Sequence, residues 1–161
     1  MISTRRRLEY ASGYLELGLV GQAEAELEAI PAAERMQPEV LRVRSEYHMQ
    51  RRDWESLILV ASVLARVAPD EETGWISWAY ALRELNRVQE AQEVLLLAEA
   101  RHGARCGVLH YNLACYACLL GNPSLALRRL RRALKFGPEW KQAALGDNDL
   151  ASLWPEITNL K

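Results

Sequence analysis

All three cysteines of the chain, Cys106, Cys115 and Cys118, fall within one short run, GARCGVLHYNLACYACLLG, that also holds His110 and Asn112. Thiolates and imidazole are the ligands that tetrahedral zinc accepts, and a Cys-x-x-Cys pair is the core of many dithiol redox centres. Residue type alone therefore allows two chemistries. The spacing weighs against both. His110 and Cys115 are five residues apart, which on one helix turns their side chains well away from each other, and Cys-x-x-Cys inside a helix lacks the loop of a zinc knuckle. A redox nucleophile normally sits at a helix N-terminus, where its thiol pKa falls, whereas Cys115 and Cys118 stand mid-run. The alternative is that these cysteines are small polarisable side chains on the wall of a helix, with no cofactor. A metal-binding or redox protein remains the minor reading.

Other catalytic signals are weak. His48, His102 and His110 belong to no recognisable metal or nucleophile motif, and no Gly-rich phosphate loop occurs, so the expectation is a protein that is not an enzyme. With 20 Lys plus Arg against 21 Asp plus Glu in 161 residues, no global field draws the chain to nucleic acid or membrane, and recognition must come from local patches. One such patch is LRRLRRALK, with Arg128, Arg129, Arg131, Arg132 and Lys135. Its apolar residues Leu127, Leu130, Ala133 and Leu134 lie at helix spacing, which puts the arginines on an exposed back. A solvated face is the simplest reading of it, an acidic protein partner the next, and the lack of interleaved aromatics argues against nucleic acid. The longest apolar runs, such as LILVASVLA at 57–65, are far short of a membrane span, and no apolar signal core follows the N-terminal arginines. Three clustered cysteines make no disulfide framework. A cytoplasmic protein with reduced thiols is the resulting expectation.

The elements that position these residues are helices. Helical periodicity runs through nearly the whole chain, interrupted by breakers at regular intervals, and the small residues Ala11, Ser45, Ala79 and Ala114 recur about every 34 to 35 residues. Helix pairs at such a period mark a solenoid, in which each pair buries its apolar face against the next. Asn122 followed by Pro123 gives a sound helix start after Gly121.

The chain resembles the tetratricopeptide repeat family, as a small bacterial-type member. The residues that carry the likeness are Trp75, Trp78, Ala79, Leu82, Ala91, Leu95 and Ala98 in one copy and His110, Leu113, Ala114, Ala117, Ala126, Leu130, Ala133 and Pro138 in the next. Earlier copies are sparser: Leu41, Ser45, His48, Asp53, Trp54, Ala61 and Leu64, with Arg44 at a large apolar position, and Tyr10, Ala11, Tyr14, Gly18, Ala23, Leu27 and Ile30, with Arg7 where an aromatic leads. The resemblance implies an all-α fold, a right-handed α-solenoid of about four helix-turn-helix repeats (4–37, 38–71, 72–106 and 107–138) with a C-terminal capping helix in 139–161, all in a single domain. The tail pattern Asp-x-Asp-Leu-x-x-Leu, Asp147 to Leu153, resembles the ending of many such proteins. Asp147 or Asn148 is expected to cap it, Pro155 to terminate it, and Trp154 to pack on the last helix pair.

The resemblance also implies a concave groove lined by the first helix of each repeat. Equivalent positions give three rows: Leu8, Arg42, Ile76 and Tyr111; Ser12, Glu46, Tyr80 and Cys115; and Leu15, Met49, Arg83 and Cys118. Asn112 stands where family members that clamp acidic chaperone tails often place an asparagine, but the matching lysine is absent and Glu46 would repel such a tail. The function implied is protein–protein interaction, a scaffold or adaptor that binds a partner peptide or helix, with no nucleic acid or membrane partner. A small dedicated chaperone of the type III secretion class is the alternative. Two further possibilities stay open: a groove filled by the chain's own terminus, and a homodimer formed through uncapped ends.

Overall fold

The computed structural model describes residues 2–160, and among them there is no strand. Four helix pairs come first: α1 (Thr4–Glu16) with α2 (Val20–Glu28), α3 (Pro38–Gln50) with α4 (Trp54–Val67), α5 (Glu72–Glu84) with α6 (Val88–His102), and α7 (Gly107–Leu119) with α8 (Pro123–Leu134). A tail follows, made of α9 (Glu139–Gly146), a 3-10 segment (Asn148–Leu153) and the short α10 (Trp154–Thr158). The helices start where the sequence supplies caps. Ser3 Oγ accepts from Arg6 N at 3.3 Å, Asp53 Oδ1 from Ser56 N at 3.3 Å and Asn122 Oδ1 from Leu125 N at 3.1 Å, each satisfying one orphan amide.

The first helix of every pair ends in the same way. A residue at positive φ follows it, Gly18 (φ 71°), Arg52 (54°), Asn86 (60°) and Gly121 (76°), at one repeat's spacing each time. The amide after it reaches back to the carbonyl five residues earlier: Leu19 to Tyr14, Asp53 to His48, Arg87 to Leu82 and Asn122 to Ala117, at 2.8 to 3.0 Å. This is the Schellman arrangement. Glycine carries it without strain at two of the four sites, and Asn86 tolerates it.

The chain divides into two compact units, one up to Ala81 and one from Leu82, with the division inside α5. In the first unit, Ala11, Leu15, Ala23, Leu27, Ile30, Val40, Val43 and Tyr47 form one buried cluster, on which Leu8, Tyr14 and Val20 pack. Leu57, Ala61 and Ala81 form another, with Met49, Trp54, Ile58 and Trp78 against it. The two arginines that depart from the repeat pattern are both accommodated by polar partners. Arg7 donates to Glu26 at 2.8 Å, and Arg44 donates to Glu28 at 2.9 Å and to the carbonyl of Leu27 at 3.2 Å. Each guanidinium thus keeps a half-buried place by tying its helix to α2.

In the second unit α7 is enclosed by α6, by α8 and by the 3-10 segment of the tail. Nine of its residues are buried, against two in α1. Leu150, Leu153 and Ile157 of the tail are buried. Trp154 donates its indole N–H to the carbonyl of Ala144 at 3.0 Å, and Lys141 Nζ donates to the carbonyls of Thr158 (2.9 Å) and Leu160 (2.6 Å). Pro155, expected to end the tail, instead occupies the first turn of α10, where its missing N–H costs nothing.

Candidate protein-interaction surface

The residues of the three expected rows divide between the two units, and each unit treats its share differently. In the first unit a cleft of about 730 Å³ runs between α1 and α3, with Leu8, Ser12 and Arg42 among its walls. Ser12 also lines a smaller cleft, about 250 Å³, formed with Leu15, Glu16, Glu46, Met49 and Gln50. The shared serine makes one track along the two helices. Its floor is fixed because Ala11 and Leu15 anchor α1 in the core and Gln50 Nε2 donates to the carbonyl of Leu15 at 3.0 Å.

The charges of this track are largely carboxylates. Arg5 and Arg6 share Glu9, at 3.3 and 3.1 Å on an exposed helix face, and Arg42 is ion-paired with Glu71. Burial pushes the Glu46 carboxyl above its usual range, an effect that Arg42 opposes and Glu16 adds to. On α5, Ile76 is half-buried, while Tyr80 is exposed with its ring edge-on to Trp54, 5.8 Å between centroids.

The second unit holds Arg83, Tyr111, Asn112, Cys115 and Cys118. Asn112 is half-buried. The other four all touch the tail. Arg83 grips Asp149 with both Nε (2.8 Å to Oδ2) and Nη2, a bidentate pair. Tyr111 donates its hydroxyl to Asp147 Oδ2 at 2.8 Å, and Cys115 Sγ lies 3.6 Å from the same oxygen. Cys118 Sγ is 3.3 Å from Ser152 Oγ. Asp147 also accepts from the amide of Asp149 at 2.9 Å, which holds the tail in its turn. Tyr111 and Cys115 are buried, the tyrosine ring tilted against Trp140 at 5.1 Å. The chain's own segment Asp147 to Leu153 thus lies on the expected groove face of α7.

This arrangement explains the electrostatics. Burial, then the bond to Asp147, pushes the Tyr111 hydroxyl up; burial, then the charge of Asp147, does the same to the Cys115 thiol. Both stay protonated donors. Cys115, Asp147 and Asp149 bring ligand atoms within 4.8 Å of one another, but the donor set does not suit a cation: Arg83 already neutralises Asp149, and metal needs the thiolate that this site disfavours. Among the described residues Cys106, His110, Cys115 and Cys118 do not converge on a common point as a zinc set would. His110 turns Nε2 to the carbonyl of Gly103 at 2.7 Å, while Cys115 and Cys118 turn to the tail.

In the sequence Asp147 reads only as a cap, and Asp149 and Ser152 carry no sign of a binding role. The available signal was complementarity: an Asp-x-Asp pair in the tail facing Arg83 and Tyr111 in the rows. The basic stretch of α8 is also partly engaged, since Arg129 and Arg132 both pair with Glu99, the latter at 2.9 Å, while Arg128, Arg131 and Lys135 are exposed. Arg129 in turn holds the Glu99 carboxyl below its usual range.

These features define an all-α tetratricopeptide-type helical repeat fold. Two solved structures share it: MamA MSR-1, with a TM-score of 0.71 and 19% identity over 84% of this chain and 77% of that one, and MamA AMB-1, with a TM-score of 0.70 and 19% identity over 84% and 79%. MamA is a tetratricopeptide-type protein. No family model and no curated protein matches the chain. Among the described residues no helix is long and apolar enough to cross a membrane.

Proposed function

We propose that this protein is a non-catalytic interaction module that docks a peptide or helix of a partner protein in the track between α1 and α3. The observation that carries the reading is the contrast between the two units. The α1–α3 track, with Leu8, Ser12, Arg42, Glu46 and Met49, is open, whereas Arg83, Tyr111, Cys115 and Cys118 are engaged by the tail. A rigid pair of helices with an apolar floor and polar walls is the kind of surface that takes an extended or helical segment. Tyr80, exposed on α5, is an added contact in this reading, and the polar groups on α7 are anchors of the tail. Their donors and acceptors are spent on one another, which supports a structural use over a catalytic one.

The test compares capture of a partner by the unaltered chain with capture by Ser12→Trp, which fills the track, and by Asn112→Trp on α7. Loss with Ser12→Trp alone, at unchanged helicity, is expected. Loss with Asn112→Trp alone would move the docking face to the second unit and overturn the reading.

A further inference from the structure

The two units together indicate what kind of segment the open track takes. Arg83 at the end of α5 and Tyr111 on α7 offer donors, and the segment lying against them brings carboxylates, Asp149 and Asp147, with Leu150 and Leu153 three residues apart as apolar anchors. The chain thus contains a worked example of how one of its first-helix faces binds a short helical turn: charge matched to the wall, leucine-sized anchors in the floor. In the α1–α3 track the polarity of the wall is reversed. Glu46 stands at the row position of Cys115, and Glu16 lies beside it near the apolar Met49. Among the described residues neither Glu16 nor Glu46 has an ion-pair partner; Arg42 is paired with Glu71, and Arg5 shares Glu9 with Arg6. Glu16 and Glu46 are both exposed at the edge of the cleft, and two carboxylates side by side there favour an incoming cation.

We propose that the α1–α3 track binds a cationic segment of a partner protein, whose lysine or arginine side chains meet Glu16 and Glu46 while an apolar side chain rests on Leu8 and Met49. This inference rests on the track being the docking site. Its occupant is the reverse in charge of the tail on α7. The raised carboxyl of Glu46 is consistent with it, because a bound cation would pull that group back down.

The experiment is selection of twelve-residue peptides from an unbiased displayed library on the immobilised full chain, followed by titration of the enriched peptides in solution. Enrichment of lysine or arginine around a leucine or methionine is expected. Their affinity should fall about tenfold in a Glu16→Gln, Glu46→Gln double variant and also weaken with salt. Amide shift mapping on the unaltered chain then places the peptide on α1 and α3 without relying on any variant's folding. Acidic or uncharged peptides that map to the track would overturn the cationic proposal and leave the docking reading standing. Peptides mapping elsewhere, and equally a library with no enrichment, would overturn both. If light scattering shows that the chain self-associates and the peptides dissociate it, the occupant is a second copy and the foreign partner falls.

Discussion

Helices α1 and α7 open their repeats with the same plan, a small residue at the packing position (Ala11, Ala114) and a glycine at positive φ after the end (Gly18, Gly121), yet two residues of α1 are buried and nine of α7. Part of the difference lies in neighbouring helices, since α7 lies between α6 and α8, and part in what rests on each helix. The tail puts Leu150, Leu153 and Asp147 against α7 and ties Asp149 to Arg83 of α5, and the corresponding side of α1 faces an open track. A repeat scaffold thus holds its backbone plan constant and lets side chains at equivalent positions decide between closure and docking. Donors that match the tail close α7; carboxylates and apolar side chains leave the α1–α3 face available.

The sharpest way to break this contrast is through the buried leucine of the tail. Leu150→Ala is expected to destabilise the second unit by about 2–4 kcal/mol, the usual cost of emptying a fully buried leucine site. Leu8→Ala on the track is expected to cost about 1 kcal/mol or less because Leu8 is only partly buried. Denaturant unfolding measures both, and alkylation of Cys115, which burial keeps protonated and covered, should speed up in Leu150→Ala. Equal costs at the two leucines would mean that the tail is loosely held and that the faces do not differ.

A smaller effect separates the two arginines. Arg83→Met leaves Asp149, whose side chain is 12% exposed, without its bidentate partner. About 1–3 kcal/mol is expected, mostly the penalty of an unpaired desolvated carboxylate. Arg42→Met breaks a pair whose side chains are 33% and 42% exposed, so about 0–1 kcal/mol follows. If thermal unfolding gives the reverse order, the Arg83–Asp149 latch is not what holds the tail. Below these come the glycines: Gly18→Ala and Gly121→Ala each force a side chain into the left-handed region at about 1–2 kcal/mol. An added Cβ would meet nothing within 4 Å at either site. Equal costs are expected, since both sites carry the same backbone geometry.

Much of this was legible in the sequence. The helical period fixed the all-α class, and the register of Arg83, Tyr111, Cys115 and Cys118 assigned them to one surface, the surface on which the tail lies. The occupancy was not legible. Asp147 and Asp149 meet partners 36 and 66 residues away, and a turn with two buried leucines is too short to show a period. The ion pairs that rescue Arg7 and Arg44 escaped for a similar reason: Glu26 and Glu28 look like ordinary exposed residues of α2 until the helices are packed.

The smallest expected effect concerns Glu46, and there stability and binding should move in opposite directions. Its carboxyl is raised by burial, with Arg42 opposing and Glu16 adding. Because the folded chain holds that proton more tightly than the unfolded one, the contribution of Glu46 is most favourable below the unfolded carboxylate pKa. It declines as pH rises through the folded value, leaving a small penalty at neutral pH. Removing the charge with Glu46→Gln is therefore expected to leave stability unchanged or to raise it by a few tenths of a kcal/mol at pH 7. The gain should vanish at acid pH, where Glu46 is already neutral. The same substitution should weaken any cationic peptide. A variant that loses stability and binding together would place Glu46 in the support of α3; one that gains the first and loses the second identifies a residue kept for its ligand.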